Sequence, residues 1–475
     1  MIAAFALQKL ASLYGGQVYG PGTLLSAVGT DTRTIEADNL FVALRGERFD
    51  AHDHLEQALD KGVKAFVIDR AESKELLEQH QCSVWLVKDT TLALGHIAEY
   101  QRSQFSKPLI AITGSSGKTS VKGMLASILS CYVGVESVFA TKGNFNNHIG
   151  VPLSLLSLNN THQYAVIEMG ASGPNEIAYL SAMTKPDIAV VNNVMPAHVE
   201  GFGSVQGIAT AKGEIYSGLK EHGCAIVNGD DVYADQWLDN IKQETTILFS
   251  GSGRTEHNSN KVAVYAKNSR ILNNGCYSFS LSCGDEAVVV KLNVLGQHNV
   301  ANAVSAAACA YALGMNIQFI RKGLEQFSAE KGRLQVLAGI NQSTLIDDTY
   351  NANPGSMKAA LDVLADSSSK SIFVMGDMGE LGDSAKEEHE SIGAYAKQKN
   401  IQYFFSLGKQ SEHASTAYGE GAQHFESIES LIDTLQGLTL KQPVILVKGS
   451  RSARMERVVH ALIFSGDNNN ASLAC

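Results

Sequence analysis

The chain has 475 residues, of which 44% are hydrophobic and 18% charged. That length is too great for one hydrophobic core and predicts three domains of ordinary size. A formal net charge of −10 excludes a nonspecific nucleic-acid or membrane-surface binder, which needs a basic face, yet it allows an anionic ligand in one locally positive pocket.

The seven cysteines (Cys82, Cys131, Cys224, Cys276, Cys283, Cys309 and Cys475) are dispersed without C-x-x-C spacing, as expected of a reducing compartment rather than a zinc or redox motif. The opening stretch, MIAAFALQKLASLYGG, has apolar residues at helical spacing and lacks the basic region and long apolar run of an export signal. Short apolar runs (LFVAL, AFVID, VWLV) around a helical HLEQALDKG predict a small α/β unit over residues 1–88. A helical LALGHIAEYQRSQF opens a second unit, residues 89–327. In it the strands LIAIT, YAVIEMG, IAVVNNV and CAIVNGD alternate with helical patterns, the mark of a parallel sheet flanked by helices. The polar stretch 251–293 predicts hairpins at the rim, followed by the helix NVANAVSAAACAYALG. In residues 328–475, STLIDDTY, SIFVMGD, IQYFFSLG and PVILVKGS predict a second, smaller doubly wound sheet with a polar, frayed tail. The fold class is therefore α/β in three units, and no apolar stretch approaches bilayer length, so no membrane insertion is expected.

The strongest local signal is the strand LIAIT, then Gly114-Ser115-Ser116-Gly117-Lys118-Thr119-Ser120, then the helical VKGMLASILSCY. Glycines let consecutive N–H groups turn inward toward phosphate oxygens, and the helix start adds partial positive charge. Lys118 would reach the terminal phosphates and the Thr119 hydroxyl a Mg²⁺ ion. Ile112 stands where the longer form of the motif has its first glycine, which counts against a GTPase or generic ATPase. The alternative, a glycine-rich turn with a surface lysine, is weaker because a strand precedes the loop and a helix follows it. Two later strands end in residues able to bind a metal, Glu168 after YAVIE and His198 after IAVVNNVMPA. Taken alone, a histidine there is more often structural. Lys212, in ATAKGEIYSGL, reads alone as a solvated lysine at the start of a helix.

Together with TKGNFNNHIGVPLSLL, LGQHNVANA, Gly332-Arg333, DDTYNANP and ILVKGSR, these segments form an ordered set that resembles the Mur ligases, cytoplasmic enzymes that build the peptide stem of peptidoglycan precursors. Within the family, TKGNFNNHIG, AHVEGFGS and DDTYNANPGSM with MGDMGELG are similar to the member that adds D-alanyl-D-alanine. The D-N-P-R tetrapeptide usual in the diaminopimelate-adding member is absent. Ala37 and Ala51 depart from the family's Pro and Gly in the N-terminal loop.

The resemblance implies a UDP-sugar-binding unit, a central ATP-binding unit, and a Rossmann-like unit that closes over ATP. It implies ATP and two Mg²⁺ ions, held through Lys118, Thr119, Glu168, His198 and a carbamylated Lys212. Asn299 and Asn302 would face the adenine, Arg333 the phosphates and Asp348 the ribose. Thr32, Arg33, Arg45, Asn146 and Asn147 would contact the UDP-sugar. Tyr350, Asn351, Asn353, Lys448, Ser450 and Arg451 would lie near the dipeptide or close the third unit. The substrates implied are UDP-N-acetylmuramoyl-tripeptide and D-alanyl-D-alanine, handled by a cytoplasmic monomer with no nucleic-acid partner. The rival readings are a sister ligase, a folylpolyglutamate synthetase, a kinase of a nucleotide sugar, and a non-catalytic UDP-sugar-binding module.

Overall fold

The computed structural model describes residues 1–46, 49–196, 199–258, 260–367 and 370–464. Three sheets follow one another along the chain, and the expected apolar runs supply their strands. The first has five strands in the order Gln17–Tyr19, Ser83–Leu86, Ala65–Ile68, Asn39–Val42, Ala27–Gly29, parallel except for the first pair. Its inner strands are buried except at Asn39 and Leu86, with Phe41, Phe66 and Trp85 at the centre. This is why they read as continuous apolar runs rather than alternating ones.

The helix Thr90–Gln104 leads into the central unit, capped by Asp89, whose carboxylate accepts from the Thr91 and Leu92 N–H groups. Near its end Arg102 is almost fully buried; its guanidinium donates to the carbonyls of Thr184, Phe105 and Lys185 and to Asp187. The central sheet has nine strands, and seven of them run parallel from Val138–Ala140 to Val264–Ile271. Leu109–Thr113 lies between Tyr164–Glu168 and Ile188–Val191. The chain first moves to one side of this strand and then to the other, so the crevice beyond its C-terminal end is the switch point where ligands collect in such sheets.

The stretch 251–293 forms the expected hairpins at the rim and differs only in that they are strands of the central sheet itself. Besides a two-residue hairpin, it supplies Val264–Ile271, Cys276–Cys283 and Glu286–Leu295, which continue the same sheet as its antiparallel edge. Its strands alternate serine or charge with apolar residues, and the apolar side packs beneath His298–Ala312. Lys212 also differs: it sits at the end, not the start, of the helix Val205–Gly213, whose start is capped by Ser204.

The third sheet has six strands, Gln335–Ala338, Thr344–Asp348, Val444–Lys448, Ser371–Gly376, Tyr403–Leu407 and Ala422–Phe425, with only the first pair antiparallel. Helices cover both faces, Pro354–Ala365 and Ala385–Gln398 on one, Ile428–Gln436 and Glu456–Leu462 on the other. Among the described residues no helix is long and apolar enough to cross a membrane.

Arg102→Met removes the pin between the linking helix and the central sheet. It leaves three backbone carbonyls and Asp187 short of a donor. Leaving a buried acceptor without its donor typically costs about 1–3 kcal/mol. The variant should melt several degrees below the parent in a thermal scan; an unchanged midpoint would show that the pin carries no stability.

Candidate active site

The loop after Leu109–Thr113 is shaped by two glycines with positive φ, Gly114 at +151° and Gly117 at +77°. A Cβ on Gly117 would stand 2.3 Å from Asn302 Oδ1 and 2.7 Å from Asn192 Nδ2, so both conformation and space demand glycine. The helix Lys118–Val133 begins directly after it, with no side chain capping its start. The first-turn N–H groups therefore face the crevice without an intrahelical acceptor, as an anion site requires.

A set of asparagines holds this loop open. Ser115 N–H donates to the Asn193 carbonyl and Ser116 N–H to Asn193 Oδ1, both at 2.9 Å. Asn192 Nδ2 donates to the Ser116 carbonyl at 3.0 Å and to Asn302 Oδ1 at 2.9 Å. Asn302 in turn donates to Asn299 Oδ1, and Asn299 to the Leu295 carbonyl. Asn299 and Asn302 thus use their amides to brace the loop as well as lining the crevice. Asn192 and Asn193 received no role from sequence. Their only signal is a pair of amides at the end of an apolar strand beside the switch point.

The crevice is a cavity of about 660 Å³. Residues 114–120, Asn146, Asn147, Glu168, Lys212, Asn299, Asn302, Arg333, Asp348, Tyr350, Asn351, Asn353 and Lys448 all line it. Glu168, almost wholly buried, accepts from the Thr119 hydroxyl at 2.9 Å on one oxygen and from Asn146 Nδ2 at 2.8 Å on the other. Asn146 therefore meets the carboxylate directly, while Asn147 caps the helix Gly150–Leu156 through the Ile149 and Gly150 N–H groups. Lys118 folds back to donate to the Gly114 carbonyl at 2.7 Å. Desolvation pushes its ammonium pKa down, Glu168 opposes that shift, and Arg333 adds to it. Lys212 is buried, and desolvation, reinforced by Lys118, brings it down to about 7 against the pull of Glu176 and Glu214.

The far wall belongs to the third sheet. Asp348 pairs with Lys448 at 2.6 Å, and Lys448 also donates to the Asn351 carbonyl. The Arg333 guanidinium lies 4.1 Å over the Tyr350 ring, and Tyr350 N–H donates to the Gly332 carbonyl. Asn353 lines the cavity while closing a capping box with Ser356 at the start of Pro354–Ala365. This wall meets the central unit where Gly355 packs on Met195 and Gly382 on Glu200.

Five of the expected site residues lie outside the cavity lining. Ser450 is buried against Ser452, and Arg451 is exposed near Glu456. In the first unit Thr32 donates to Gln57, Arg33 folds onto Asp31 at 2.6 Å, and Arg45 lies between Asp50 and Asp69. His198 lies outside the described residues.

With this geometry in place, comparison with known proteins is specific. Residues 25–102 match the Mur ligase family catalytic domain, 112–310 the Mur ligase middle domain, and 332–451 the Mur ligase glutamate ligase domain. The chain belongs to the Mur ligase family. A relative from Escherichia coli named UDP-N-acetylmuramoyl-tripeptide–D-alanyl-D-alanine ligase is 43% identical over 97% of this chain and 98% of its own. A Bacillus subtilis relative of the same name is 33% identical over 97% of this chain and 98% of its own. Among solved structures, MurF from Acinetobacter baumannii superposes with a TM-score of 0.88 at 35% identity, covering 97% of this chain and 98% of that one. MurF ligase from Thermotoga maritima in complex with ADP gives 0.79 at 27% identity, covering 92% and 96%. A folylpolyglutamate synthase from Mycobacterium tuberculosis, at 16% identity and a TM-score of 0.58, shares the fold alone.

Gly117→Ala tests the shape of this Mur ligase loop. The added methyl collides with the Asn192–Asn302 bond and sits at a φ that alanine avoids. The strain should amount to about 1–3 kcal/mol. Affinity for ATP, read by calorimetry, should fall at least tenfold; parent-like affinity would show that the asparagine brace does not set the loop.

Proposed function

We propose that this chain is an ATP-dependent ligase that joins D-alanyl-D-alanine to the tripeptide carboxylate of UDP-N-acetylmuramoyl-tripeptide. The observation that carries the reading is the shared cavity. The phosphate loop, the Glu168 carboxylate and Lys212 line it from the central unit, with Arg333, Tyr350 and Lys448 from the third. Full-length relatives of that name support the choice of substrates. A kinase of a nucleotide sugar would leave the third-unit wall without a task. In this reading residues 1–88 bind the UDP-sugar, 89–327 bind ATP, and 328–475 close over the nucleotide and take the dipeptide. Both substrates and ATP are cytoplasmic, so the enzyme works there.

A carboxylate does not condense with an amine at neutral pH, because oxide is too poor a leaving group. The tripeptide carboxylate oxygen attacks the γ-phosphorus of ATP, forming an acyl phosphate and releasing ADP. The dipeptide amine then attacks the acyl carbon; the C–O bond to phosphate breaks, and the amine proton passes to phosphate or solvent. The first half brings two anions together, so positioning and charge neutralisation supply most of the catalysis. The first-turn N–H groups after Gly117 and the ammonium of Lys118 serve the phosphates from one side, and Arg333 from the other. Tyr350 holds the guanidinium over its ring. Asn299 and Asn302 border the adenine and Asp348 the ribose. Thr32, Arg33 and Arg45, with Asn147, serve the UDP-sugar. Asn351, Asn353, Lys448, Ser450 and Arg451 serve the dipeptide or the closing of the third unit.

Magnesium fits the residues present: Thr119 Oγ1 and the Glu168 carboxylate lie 2.9 Å apart as hard oxygen donors. Thr119, Glu168, His198 and a carbamylated Lys212 would hold two such ions, which neutralise phosphate charge. For the carbamate, the neutral Lys212 amine adds to CO₂ and loses one proton, turning a buried cation into an anionic oxygen ligand. Its pKa of about 7 leaves much of the amine neutral at physiological pH. In the second half, a free α-amino group of pKa about 7.7–8 is roughly one-tenth neutral at pH 7, so no strongly tuned base is needed.

Lys118→Ala should abolish phosphate release with UDP-muramoyl-tripeptide and D-alanyl-D-alanine while sparing binding of the UDP-substrate. The assay is run in parallel with single amino acids; phosphate release with those and not the dipeptide would overturn the substrate assignment. Carbamylation should rise with pH through about 7, because only the neutral amine reacts. Intact mass in bicarbonate should then gain one CO₂ at pH 8 and little at pH 6. Lys212→Ala should be nearly inactive and partly rescued by acetate. An unmodified mass at pH 8, with no rescue, would remove the carbamate.

A further inference from the structure

One turn beyond Lys118 on the same helix, Lys122 has its ammonium buried at the base of the site, with the residue only 4% exposed. Its Nζ lies 3.3 Å from Glu330 Oε1 and 4.0 Å from Glu168 Oε2. A buried ammonium is costly unless carboxylates face it, so its position between two of them is a constraint rather than an accident of packing. Glu330 stands on the short crossing between the helix Ile317–Gln326 and the strand Gln335–Ala338, which joins the central unit to the third. Its carbonyl accepts from the Arg333 N–H at 3.0 Å, closing a turn between the two residues. On either side of Arg333 the backbone is left-handed, at Gly332 (φ +75°) and Leu334 (φ +53°). The Leu334 N–H is then tied to Asp348 at 3.2 Å. The turn that aims Arg333 is thus fixed at its far end by Asp348 and at its near end by Lys122. The helix surface is close there, since a Cβ on Gly123 would meet the Phe327 ring at 2.6 Å and Glu330 Oε1 at 3.4 Å.

We propose that Lys122 is a positioning residue for phosphoryl transfer. By holding Glu330 it fixes the turn that presents Arg333, and by standing beside Glu168 it ties that turn to the carboxylate of the metal site. The proposal rests on the roles given above to Arg333 and Glu168. The phosphates then meet cations from two units whose spacing is set by one ammonium.

Glu330→Gln is the decisive substitution, because Glu330 is partly exposed and the amide keeps an oxygen acceptor facing the Lys122 ammonium; Lys122→Met and Lys122→Arg accompany it. Two quantities are read for each: affinity for a non-hydrolysable ATP analogue with Mg²⁺, by calorimetry, and kcat and KM for phosphate release. Misplacing a group that contacts the transferring phosphate costs on the order of tenfold or more. Glu330→Gln and Lys122→Met should lower nucleotide affinity or kcat by about that factor, with KM for the UDP-substrate unchanged for Glu330→Gln. Lys122→Arg should retain most of both. In an Arg333→Ala background Glu330→Gln should add no further loss, since it acts through Arg333. A loss in either quantity that vanishes in that background supports the proposal. Parent-like affinity and kcat in Glu330→Gln, or a loss that multiplies with Arg333→Ala, overturns it. The calorimetry uses no amine substrate, so a wrong dipeptide assignment would show as absent phosphate release by the parent enzyme and leave the affinity comparison standing.

Discussion

The shape of the crevice depends on keeping one helix start uncapped at the end of the central strand. An exposed helix start would ordinarily recruit a side-chain cap or collapse onto its own loop. Here Asn192, Asn193 and Asn302 hold the preceding loop instead, through hydrogen bonds to Ser115, Ser116 and one another. The bracing amides come from the neighbouring strand end and from a helix more than a hundred residues later. The site therefore exists only when the central sheet and the helix His298–Ala312 are packed together.

The same constraint explains which parts were legible in the sequence. The loop motif, its strand and its helix are contiguous, so the glycine spacing and apolar periodicity reveal them directly. The buried parallel strands announce themselves as unbroken apolar runs, such as AFVI at 65–68 and IAVV at 188–191. The antiparallel edge Cys276–Leu295 was legible as hairpins at the rim, but not its place in the central sheet. Its alternating serines look like solvent-facing hairpins, until the helix His298–Ala312 is seen lying on the apolar side. Lys212 fell at the wrong end of its helix because the capping residue, Ser204, lies eight positions upstream of it.

Candidate site residues were legible unevenly, for a related physical reason. Residues whose type is rare at their position, such as a lysine after a glycine turn or a glutamate ending an apolar strand, stand out along the chain. Asparagines that satisfy backbone groups do not, because asparagine is common in loops. Their meaning depends on what lies opposite in space. Lys122 is the extreme case. In a helical repeat it reads as one more polar residue, and only the approach of Glu330, two hundred residues on, explains why it is buried.

The cations of the cavity also constrain one another. Lys118, Lys212 and Arg333 line one cavity, where Arg333 adds to the downward shift of Lys118 and Lys118 to that of Lys212. The charge of Glu168 opposes the downward shift at Lys118, as that of arriving phosphates would. Lys212 has weaker support from Glu176 and Glu214 and is brought down to about 7. A lysine so placed is a poor cation but a competent nucleophile toward CO₂. In the proposed mechanism its conversion to a carbamate relieves the crowding of positive charge and supplies an anion beside the metal. In that reading a charge would be removed where it opposes magnesium and kept at Lys118 and Arg333, where phosphate negative charge must be met.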